Sequence, residues 1–275
     1  MSSTRFGAKE FSRRSRTGEA MAWSVGAGLE GKGVIVTGAA GGIGQAVARA
    51  FDTTGARVMA VDLDQAKLDE LIVGLGGRGH IGVAADLRII SSHDALVERA
   101  RRELGNVYVL ANLAAVLRRR SSLEEITEDD WDFQHDINLK SAFFLCRAAG
   151  KAMVAQGHGG RIITFASQGW WTGGFGGSVV YAASKGGIVS MTRGLARTFG
   201  PHRITVNAVS PGQVNTPMLV TGLAPAMYEA MKEQTPLGHV AEPDELAGTV
   251  VFLASDHARY ITGATINVSG GFLMY

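Results

Sequence analysis

Two residues four positions apart, Tyr181 and Lys185, are of types that can transfer protons. In a helix this spacing places both side chains on one face, about 6 Å apart along the axis. A phenol ordinarily loses its proton near pH 10, and an ammonium group about 5 Å away supplies roughly 3 kcal/mol toward lowering that pKa. The phenolate can then take a proton from a hydroxyl group, and the phenol can donate one to a carbonyl oxygen. The alternative interpretation is a chance pair on an exposed helix face.

A second chemical feature is the glycine-rich turn TGAAGGIG, which follows the apolar run GVIVT and leads into the helical pattern IGQAVARAF. Glycines at such a turn let the backbone approach a pyrophosphate, and the helix N-terminus offers free N–H groups and a positive dipole. The expected contacts are Gly38, Gly42, Ile43 and Gly44. The strand–turn–helix context favours dinucleotide binding over a glycine-rich turn without a ligand.

An acidic residue, Asp62, ends the next strand pattern, RVMAVD, about 20 residues after the glycines. A carboxylate there accepts hydrogen bonds from the ribose hydroxyls of NAD and repels the 2′-phosphate of NADP. The neighbouring Leu63 and Ala40 offer no positive charge to hold that phosphate. The pattern therefore favours NAD over NADP. The competing interpretation is that Asp62 caps the following helix.

These residues are set in alternating strand and helix patterns, which are typical of an α/β fold with one doubly wound parallel sheet. We predict one catalytic domain over residues 28–275, preceded by a disordered leader at residues 1–27. The predicted strands cover 33–37, 57–62, 80–84, 107–112, 161–166, 205–209 and 265–268. The predicted helices cover 43–54, 65–73, 91–104, 127–156, 180–199, 216–234 and 243–254.

The composition of the 275 residues excludes several classes of protein. A hydrophobic content of 46% with 19% charged residues is incompatible with disorder of the whole chain. A net charge of +2 on interspersed acids and bases gives no field for nucleic acid or an anionic membrane. No apolar run approaches the roughly 20 residues of a membrane span, and the single Cys146 cannot form an intrachain disulfide. We expect a cytoplasmic protein.

The motifs taken together resemble the short-chain dehydrogenase/reductase family. The resemblance rests on TGAAGGIG, Asn138, Ser167, Tyr181-AAS-Lys185 and PGQVNTPM at 211–218, in this order, and it spans residues 30–275. It implies a single Rossmann-like domain with a seven-stranded parallel sheet between helices. It also implies that Tyr181 is the general acid/base, that Lys185 lowers its pKa and binds the nicotinamide ribose, and that Ser167 holds the substrate oxygen. Asn138 would kink its helix and bind a water that links Lys185 to solvent, unless it makes an ordinary interhelical hydrogen bond.

The resemblance implies further cofactor contacts. These are Asp86, Leu87, Asn112, Ala114, Pro211, Gly212, Val214 and Thr216. Asp86 and the four residues at 211–216 could instead be turn chemistry. One segment departs from the family pattern, because the family commonly has Asn-Asn-Ala-Gly where this chain has Asn112, Leu113, Ala114 and Ala115. The methyl group of Ala115 restricts φ where glycine would not, so this segment puts close backbone packing beside the cofactor in question.

The substrate side gives weaker signals. Trp170, Trp171 and Phe175 lie among glycines between Ser167 and Tyr181, and they predict an apolar pocket wall or a packing contact. The run at 118–120 is Arg-Arg-Arg, which predicts a solvated loop or an anion contact. An apolar stripe resembles the mobile lid of the family, unless it serves simple packing, and comprises Met218, Leu219, Leu223, Met227, Tyr228 and Met231.

The sequence thus predicts an NAD-dependent oxidoreductase that interconverts a secondary alcohol and a ketone without a metal. The resemblance, together with the apolar C-terminus GGFLMY, implies a homo-oligomer and favours a homotetramer. The alternative enzyme is an NADPH-dependent 3-oxoacyl-carrier-protein reductase. The alternative from another class is a catalytically silent NAD-binding regulator, for which the altered segment after Asn112 is the hint.

Overall fold

The computed structural model describes residues 24–174 and 176–275. The predicted leader therefore lies, up to residue 23, outside the described residues, and so does Phe175. Seven strands form one sheet: β1 Gly33–Thr37, β2 Arg57–Asp62, β3 Ile81–Ala84, β4 Val109–Asn112, β5 Gly160–Phe165, β6 Ile204–Pro211 and β7 Thr265–Val268.

The helices alternate with these strands along the chain. They are α1 Gly42–Thr53, α2 Gln65–Val73, α3 His93–Leu104, α4 Glu128–His135, α5 Ala142–Gln156, α6 Gly169–Thr172, α7 Val179–Phe199, α8 Pro217–Val220, α9 Pro225–Gln234 and α10 Pro243–Ala254. A π-helical segment, Asp136–Ser141, joins α4 to α5.

All seven strands are parallel, in the order β3-β2-β1-β4-β5-β6-β7. Parallel strands need crossover connections, and the helices that make them cover both faces of the sheet. This explains why the central strand β1, GVIVT, is apolar without alternation and buried at every position. The predicted doubly wound α/β fold is confirmed.

Two apolar layers hold the helices to the sheet. On one face Val34 and Val36 pack with Phe51 of α1 and Val250 of α10. On the other face Ile35 packs in a cluster that extends to α3, α5 and α7. Each fully buried side chain of this size contributes roughly 1.5–3 kcal/mol, so the sheet and its flanking helices form a rigid base for the loops at the strand ends.

Two predicted helices differ from the structure. The run predicted at 127–156 contains the π-helical segment, and the run predicted at 216–234 divides into α8 and α9. Gly222 lies in the break with φ +74°, a conformation that glycine adopts readily and that helices do not. The prediction of one domain over 28–275 stays a prediction.

None of the described helices is long and apolar enough to cross a membrane. Among the described residues, no group of three His, Cys, Asp or Glu side chains could hold a metal ion.

Candidate active site

The sheet order brings the carboxyl ends of β1 and β4 side by side. From β1 the chain adds β2 and β3 on one side of the sheet, and from β4 it adds β5, β6 and β7 on the other side. The loops that leave β1 and β4 therefore diverge and open a crevice. The loop after β1 is the glycine-rich turn, and the loop after β4 begins at Leu113. The ends of β5 and β6 border the same crevice, which is therefore the candidate active site.

The glycine-rich turn leaves no room for side chains. Gly38 has φ +66°, and a Cβ on it would lie 3.0 Å from the backbone nitrogen of Ala114. A Cβ on Gly44 would collide with the carbonyl oxygen of Gly38. The N-cap of α1 is Gly41, which has no side chain to satisfy the first N–H groups of the helix. The turn therefore fits a pyrophosphate, which these N–H groups and the helix dipole can bind.

Asp62 ends β2 with its carboxylate against the glycine-rich turn. Its Oδ2 accepts a hydrogen bond from the backbone nitrogen of Ala40 at 3.0 Å, and its Oδ1 accepts one from Leu63 at 2.7 Å. The interpretation of Asp62 as a helix cap is wrong, because Asp64 caps α2 by accepting from the backbone nitrogen of Lys67. A carboxylate has about four acceptor positions, so Asp62 keeps capacity for ribose hydroxyls.

Asp86, predicted to contact adenine, follows β3 and is held by Arg88. The guanidinium donates to Asp86 Oδ1 at 3.0 Å and to Oδ2 at 2.6 Å, and these hydrogen bonds lower the pKa of the Asp86 carboxyl. Leu87 is buried, and its carbonyl oxygen lies 2.8 Å from Nε2 of His93. An adenine contact at Asp86 stays a prediction, and it would share the carboxylate with Arg88.

Asn112 is engaged within the fold. Its Oδ1 accepts from Thr37 Oγ1 at 2.9 Å, and its Nδ2 donates to the carbonyl oxygen of Ala142 at 3.3 Å. Thr37 in turn accepts from the backbone nitrogens of Leu113 and Ala114. The side chain of Asn112 therefore ties β4 to β1 and to α5, and any cofactor contact at Asn112 and Ala114 would come from the backbone.

The departure from the family pattern after Asn112 causes no backbone strain. Among the described non-glycine residues, Arg203 has a positive φ and Ala115 does not. Ala115 lines a cavity that is also lined by Ser167, Tyr181 and Lys185. Alanine thus fits where the family commonly has glycine.

Ser167, Tyr181 and Lys185 come together in one cavity of about 660 Å³. Ser167 follows β5, and its hydroxyl accepts from the backbone nitrogen of Gly169 at 3.2 Å. Both other residues lie on α7, with Lys185 Nζ 5.6 Å from the centre of the Tyr181 ring. The same Nζ donates to the carbonyl oxygen of Phe165 at 2.8 Å, which fixes the ammonium group behind the phenol. The predicted convergence of the three side chains is present.

Burial dominates the pKa values of this group. It raises the pKa of Tyr181, although a hydrogen bond with Ser167 and the charge of Arg119 act in the opposite direction. Burial also lowers the pKa of Lys185 to about 8. The downward shift of the Tyr181 pKa predicted from Lys185 is therefore not produced by the residues of the chain, because desolvation of the phenolate outweighs their attraction. The phenol keeps its proton at neutral pH, which is the form that donates to a carbonyl oxygen.

Asn138 lies in the π-helical segment and is 1% exposed. Its Oδ1 accepts from the backbone nitrogen of Val116 at 2.8 Å, and its Nδ2 donates to the carbonyl oxygen of Val116 at 2.9 Å and to Ser184 Oγ at 3.1 Å. The side chain therefore fastens the loop after β4 to α7, next to Lys185. The predicted departure from a regular helix is present, whereas water binding by Asn138 stays a prediction.

The end of β6 and the segment that follows it also line the cavity. Pro211, Gly212, Val214 and Thr216 all line it. The methyl group of Thr216 lies 3.0 Å from the place of a Cβ on Gly42, so the segment abuts the N-terminus of α1. This position suits a contact with the nicotinamide end of a dinucleotide that extends from the glycine-rich turn.

The outer wall of the cavity comes from α8, α9 and the turn between them. Five of the six residues of the predicted lid stripe line it, Tyr228 being the exception. None of the described residues of these two helices is buried, which agrees with a cover over the site. The movement of this cover stays a prediction.

The prediction of a tryptophan wall is wrong. Trp170 and Trp171 do not line the cavity, and both rings contact Tyr275 at centroid distances of 5.2 and 5.3 Å. Trp170 also donates from Nε1 to Ser210 Oγ at 3.2 Å. The two side chains therefore pack beneath the C-terminus, as the alternative interpretation held.

Several cavity residues did not stand out in the sequence as site residues, among them two glutamines and an arginine. Gln168 and Gln213 line the cavity, and Arg119, the middle member of the arginine run, does so as well. The arginine run was a signal that the sequence left ambiguous, because spacing in a loop does not tell which side chain faces inward. The two glutamines carry no motif that could have found them.

Comparison with known proteins agrees with this geometry. A family model described as enoyl-(acyl carrier protein) reductase matches residues 38–273. The D-threitol dehydrogenase of Mycolicibacterium smegmatis is 41% identical over 89% of this chain and 94% of its own length. The 2-dehydro-3-deoxy-D-gluconate 5-dehydrogenase of Escherichia coli is 38% identical over 89% of this chain and 96% of its own length.

A solved structure gives the same result. The short-chain dehydrogenase/reductase (glucose/ribitol dehydrogenase) from Brucella melitensis superposes with a TM-score of 0.82 at 34% identity, over 90% of this chain and 98% of that one. The relatives, the sheet order and the cavity with serine, tyrosine and lysine agree with one another. The chain is therefore a member of the short-chain dehydrogenase/reductase family, an oxidoreductase of alcohols and ketones that uses a nicotinamide cofactor.

Proposed function

We propose that this enzyme uses NAD and that Tyr181 transfers a proton to or from the substrate oxygen while a hydride is exchanged at the carbon that bears this oxygen. The observation that carries the proposal is the meeting of Ser167, Tyr181 and Lys185 in one cavity beside a turn that fits a pyrophosphate. When bound, the nicotinamide supplies the hydride donor or acceptor that the side chains of the chain lack.

Each residue has a defined part in the proposed mechanism. In ketone reduction Tyr181 donates its phenolic proton to the carbonyl oxygen, and the Ser167 hydroxyl holds that oxygen in place. In alcohol oxidation the phenolate takes the hydroxyl proton, which requires its raised pKa to fall. The Lys185 ammonium behind the ring does not by itself lower the pKa enough, so the positive charge of an oxidised nicotinamide would supply the remaining attraction.

The variant Tyr181→Phe tests the chemical role. We expect turnover of secondary alcohols to fall at least about a hundredfold, the usual scale of general acid–base catalysis. Affinity for NADH should stay within a few-fold, since the phenol is one contact among many. A variant that turns over at the parental rate would show that Tyr181 is not the acid/base.

Cofactor choice follows from Asp62, whose carboxylate lies at the glycine-rich turn. We propose that it accepts hydrogen bonds from the adenosine ribose and repels a 2′-phosphate. Fluorescence titration should then show tighter binding of NADH than of NADPH. The variant Asp62→Asn should reduce this preference by about tenfold or more, equivalent to 1.4 kcal/mol.

The matched control is Asp64→Asn, which removes the same charge two residues away and keeps a side chain that can cap α2. Its cofactor preference should equal that of the parent. Preference for NADPH in the unmodified enzyme would contradict the role of Asp62 and favour the 3-oxoacyl-carrier-protein reductase. The catalytically silent regulator rested on the altered segment after Asn112. It loses this support because Ala115, in that segment, does not require a positive φ.

We also propose a cytoplasmic homotetramer. In support, Cys146 is buried as a free thiol, which suits a reducing compartment. Phe143 on α5 and Trp131 on α4 are apolar side chains exposed on the face that the resemblance assigns to subunit contacts. Sedimentation of the purified protein measures the assembly, and a monomer would contradict it.

A further inference from the structure

The three consecutive arginines after β4 have different partners. Arg118 forms ion pairs with Asp129 and with Asp130, the latter at 3.4 Å, and Arg120 pairs with Asp130 at 2.7 Å. Arg119 forms no ion pair with a carboxylate of residues 24–174 and 176–275. It lines the catalytic cavity and donates from Nη1 to the carbonyl oxygen of Leu219 in α8 at 3.4 Å.

The charge of the cavity wall has one sign. Its charged residues are Arg119, Arg120 and Lys185, and no aspartate or glutamate of the described chain lines it. Arg120 is neutralised by Asp130, and Lys185 lies behind the phenol. Arg119 thus leaves an uncompensated guanidinium at the cavity, close enough to Tyr181 for its charge to act on the phenol.

Two amide side chains, Gln168 and Gln213, also line this wall. Their Oε1 atoms are buried and accept no hydrogen bond from the described residues, so these oxygens are not exposed to a substrate in the cavity. Arg119 is therefore the charged group of the wall that remains available to a substrate.

We propose that the substrate is a small hydroxy or oxo carboxylic acid, whose carboxylate pairs with Arg119. A guanidinium binds a carboxylate through two parallel hydrogen bonds, which orients the molecule as well as attracting it. A cavity of about 660 Å³ accommodates a sugar acid of six carbons beside a nicotinamide ring. This inference rests on the proposed function, since it names the substrate of the same site.

Binding tests the inference independently of turnover. With NADH present, D-gluconate and D-sorbitol are titrated by calorimetry, because the two probes differ in a carboxylate against a hydroxymethyl group. We expect the acid to bind at least about tenfold more tightly, and Arg119→Met to abolish the difference. Arg119→Lys should restore part of it. Arg99→Met, which removes one positive charge from an exposed site on α3, should leave it unchanged.

Kinetics with NAD give the second readout. For the pairs D-threonate with threitol and D-gluconate with sorbitol, Arg119→Met should lower the ratio of kcat/KM for the acid to kcat/KM for the polyol at least about tenfold. Equal use of acids and neutral polyols by the parent, or an unchanged preference in Arg119→Met, would overturn the inference and leave the alcohol chemistry standing. If NADH fails to bind or Tyr181→Phe stays active, the proposed function fails, whereas calorimetry of the acid still reports on Arg119.

Discussion

Lys185 is expected to reduce the stability of the folded protein at neutral pH. Its side chain is 3% exposed, and its Nζ makes one hydrogen bond, to the carbonyl oxygen of Phe165, that the structure defines. Burial lowers the pKa of Lys185 from 10.5 to about 8. The folded state therefore holds the charged form less favourably than the unfolded chain does.

The size of this effect follows from the shift of the pKa. A difference of about 2.5 units at roughly 1.36 kcal/mol per unit gives about 3 kcal/mol. Between about pH 8 and pH 10.5 the unfolded state binds more protons at this position than the folded state, so stability rises with pH. Below about pH 8 both states hold the proton and the full penalty remains.

The variant Lys185→Met keeps the length of the side chain and removes the charge. At about pH 7 we expect it to unfold at a higher urea concentration than the parent. The gain should be about 2 kcal/mol, because loss of the hydrogen bond to Phe165 offsets roughly 1 kcal/mol of the relieved penalty. Catalysis should be lost in the same variant, because a buried charge that serves the reaction commonly lowers the stability of the fold.

The pH dependence isolates the titration of Lys185, because parent and variant share every other group. Urea unfolding of both at equal protein concentration measures the difference in their free energies of unfolding at about pH 7 and about pH 9.5. Between these two pH values we expect the free energy of unfolding of the parent to rise by about 2 kcal/mol relative to that of the variant. A difference that does not change with pH would refute the reasoning, since it would mean that Lys185 has the same pKa in the folded and the unfolded protein.

Two further predictions concern the glycine-rich turn and the loop after β4. Gly44→Ala should abolish NADH binding in a fluorescence titration, because the added Cβ would collide with the carbonyl oxygen of Gly38. The control is Gly248→Ala, whose Cβ would lie in open space on α10. This variant should bind NADH like the parent, and its free energy of unfolding should rise by roughly 0.5–1 kcal/mol. Asp130→Asn should destabilise the protein in urea above about pH 5, because Asp130 is 1% exposed and its hydrogen bonds with Arg120 and Thr127 hold the pKa of its carboxyl well below the usual range. Since that pKa is depressed, the stabilisation is present above the unfolded value and is lost as the pH falls below about 4; a constant gap between parent and variant down to low pH would contradict this.

Much of the fold could be predicted because the signals were local. Apolar runs without alternation indicated buried parallel strands, and glycines between a strand and a helix indicated a turn open to a ligand. The π-helical segment at Asp136–Ser141 was not predictable from periodicity. Within it Asn138 accepts a hydrogen bond from the backbone nitrogen of Val116 and donates one to the carbonyl oxygen of Val116. Those residues are 22 positions apart in the chain.

The roles of some single side chains also became clear only from the tertiary structure. Asp62 was separable from a helix cap only when Asp64 proved to hold that position. The tryptophans near Tyr181 were adjacent to the site in sequence, but contacts with Tyr275 at the other end of the chain place them outside the cavity wall.

The sequence by itself determined the alternation of strands and helices, the glycine-rich turn and the spacing of Tyr181 and Lys185, because each depends on residues close together in the chain. Tertiary structure decided which arginine of three lines the cavity without an ion pair to a described carboxylate, that two glutamines line it as well, and that burial raises the pKa of Tyr181. These properties depend on desolvation and on partners that the fold brings from distant positions, and neither quantity is defined until the chain is packed.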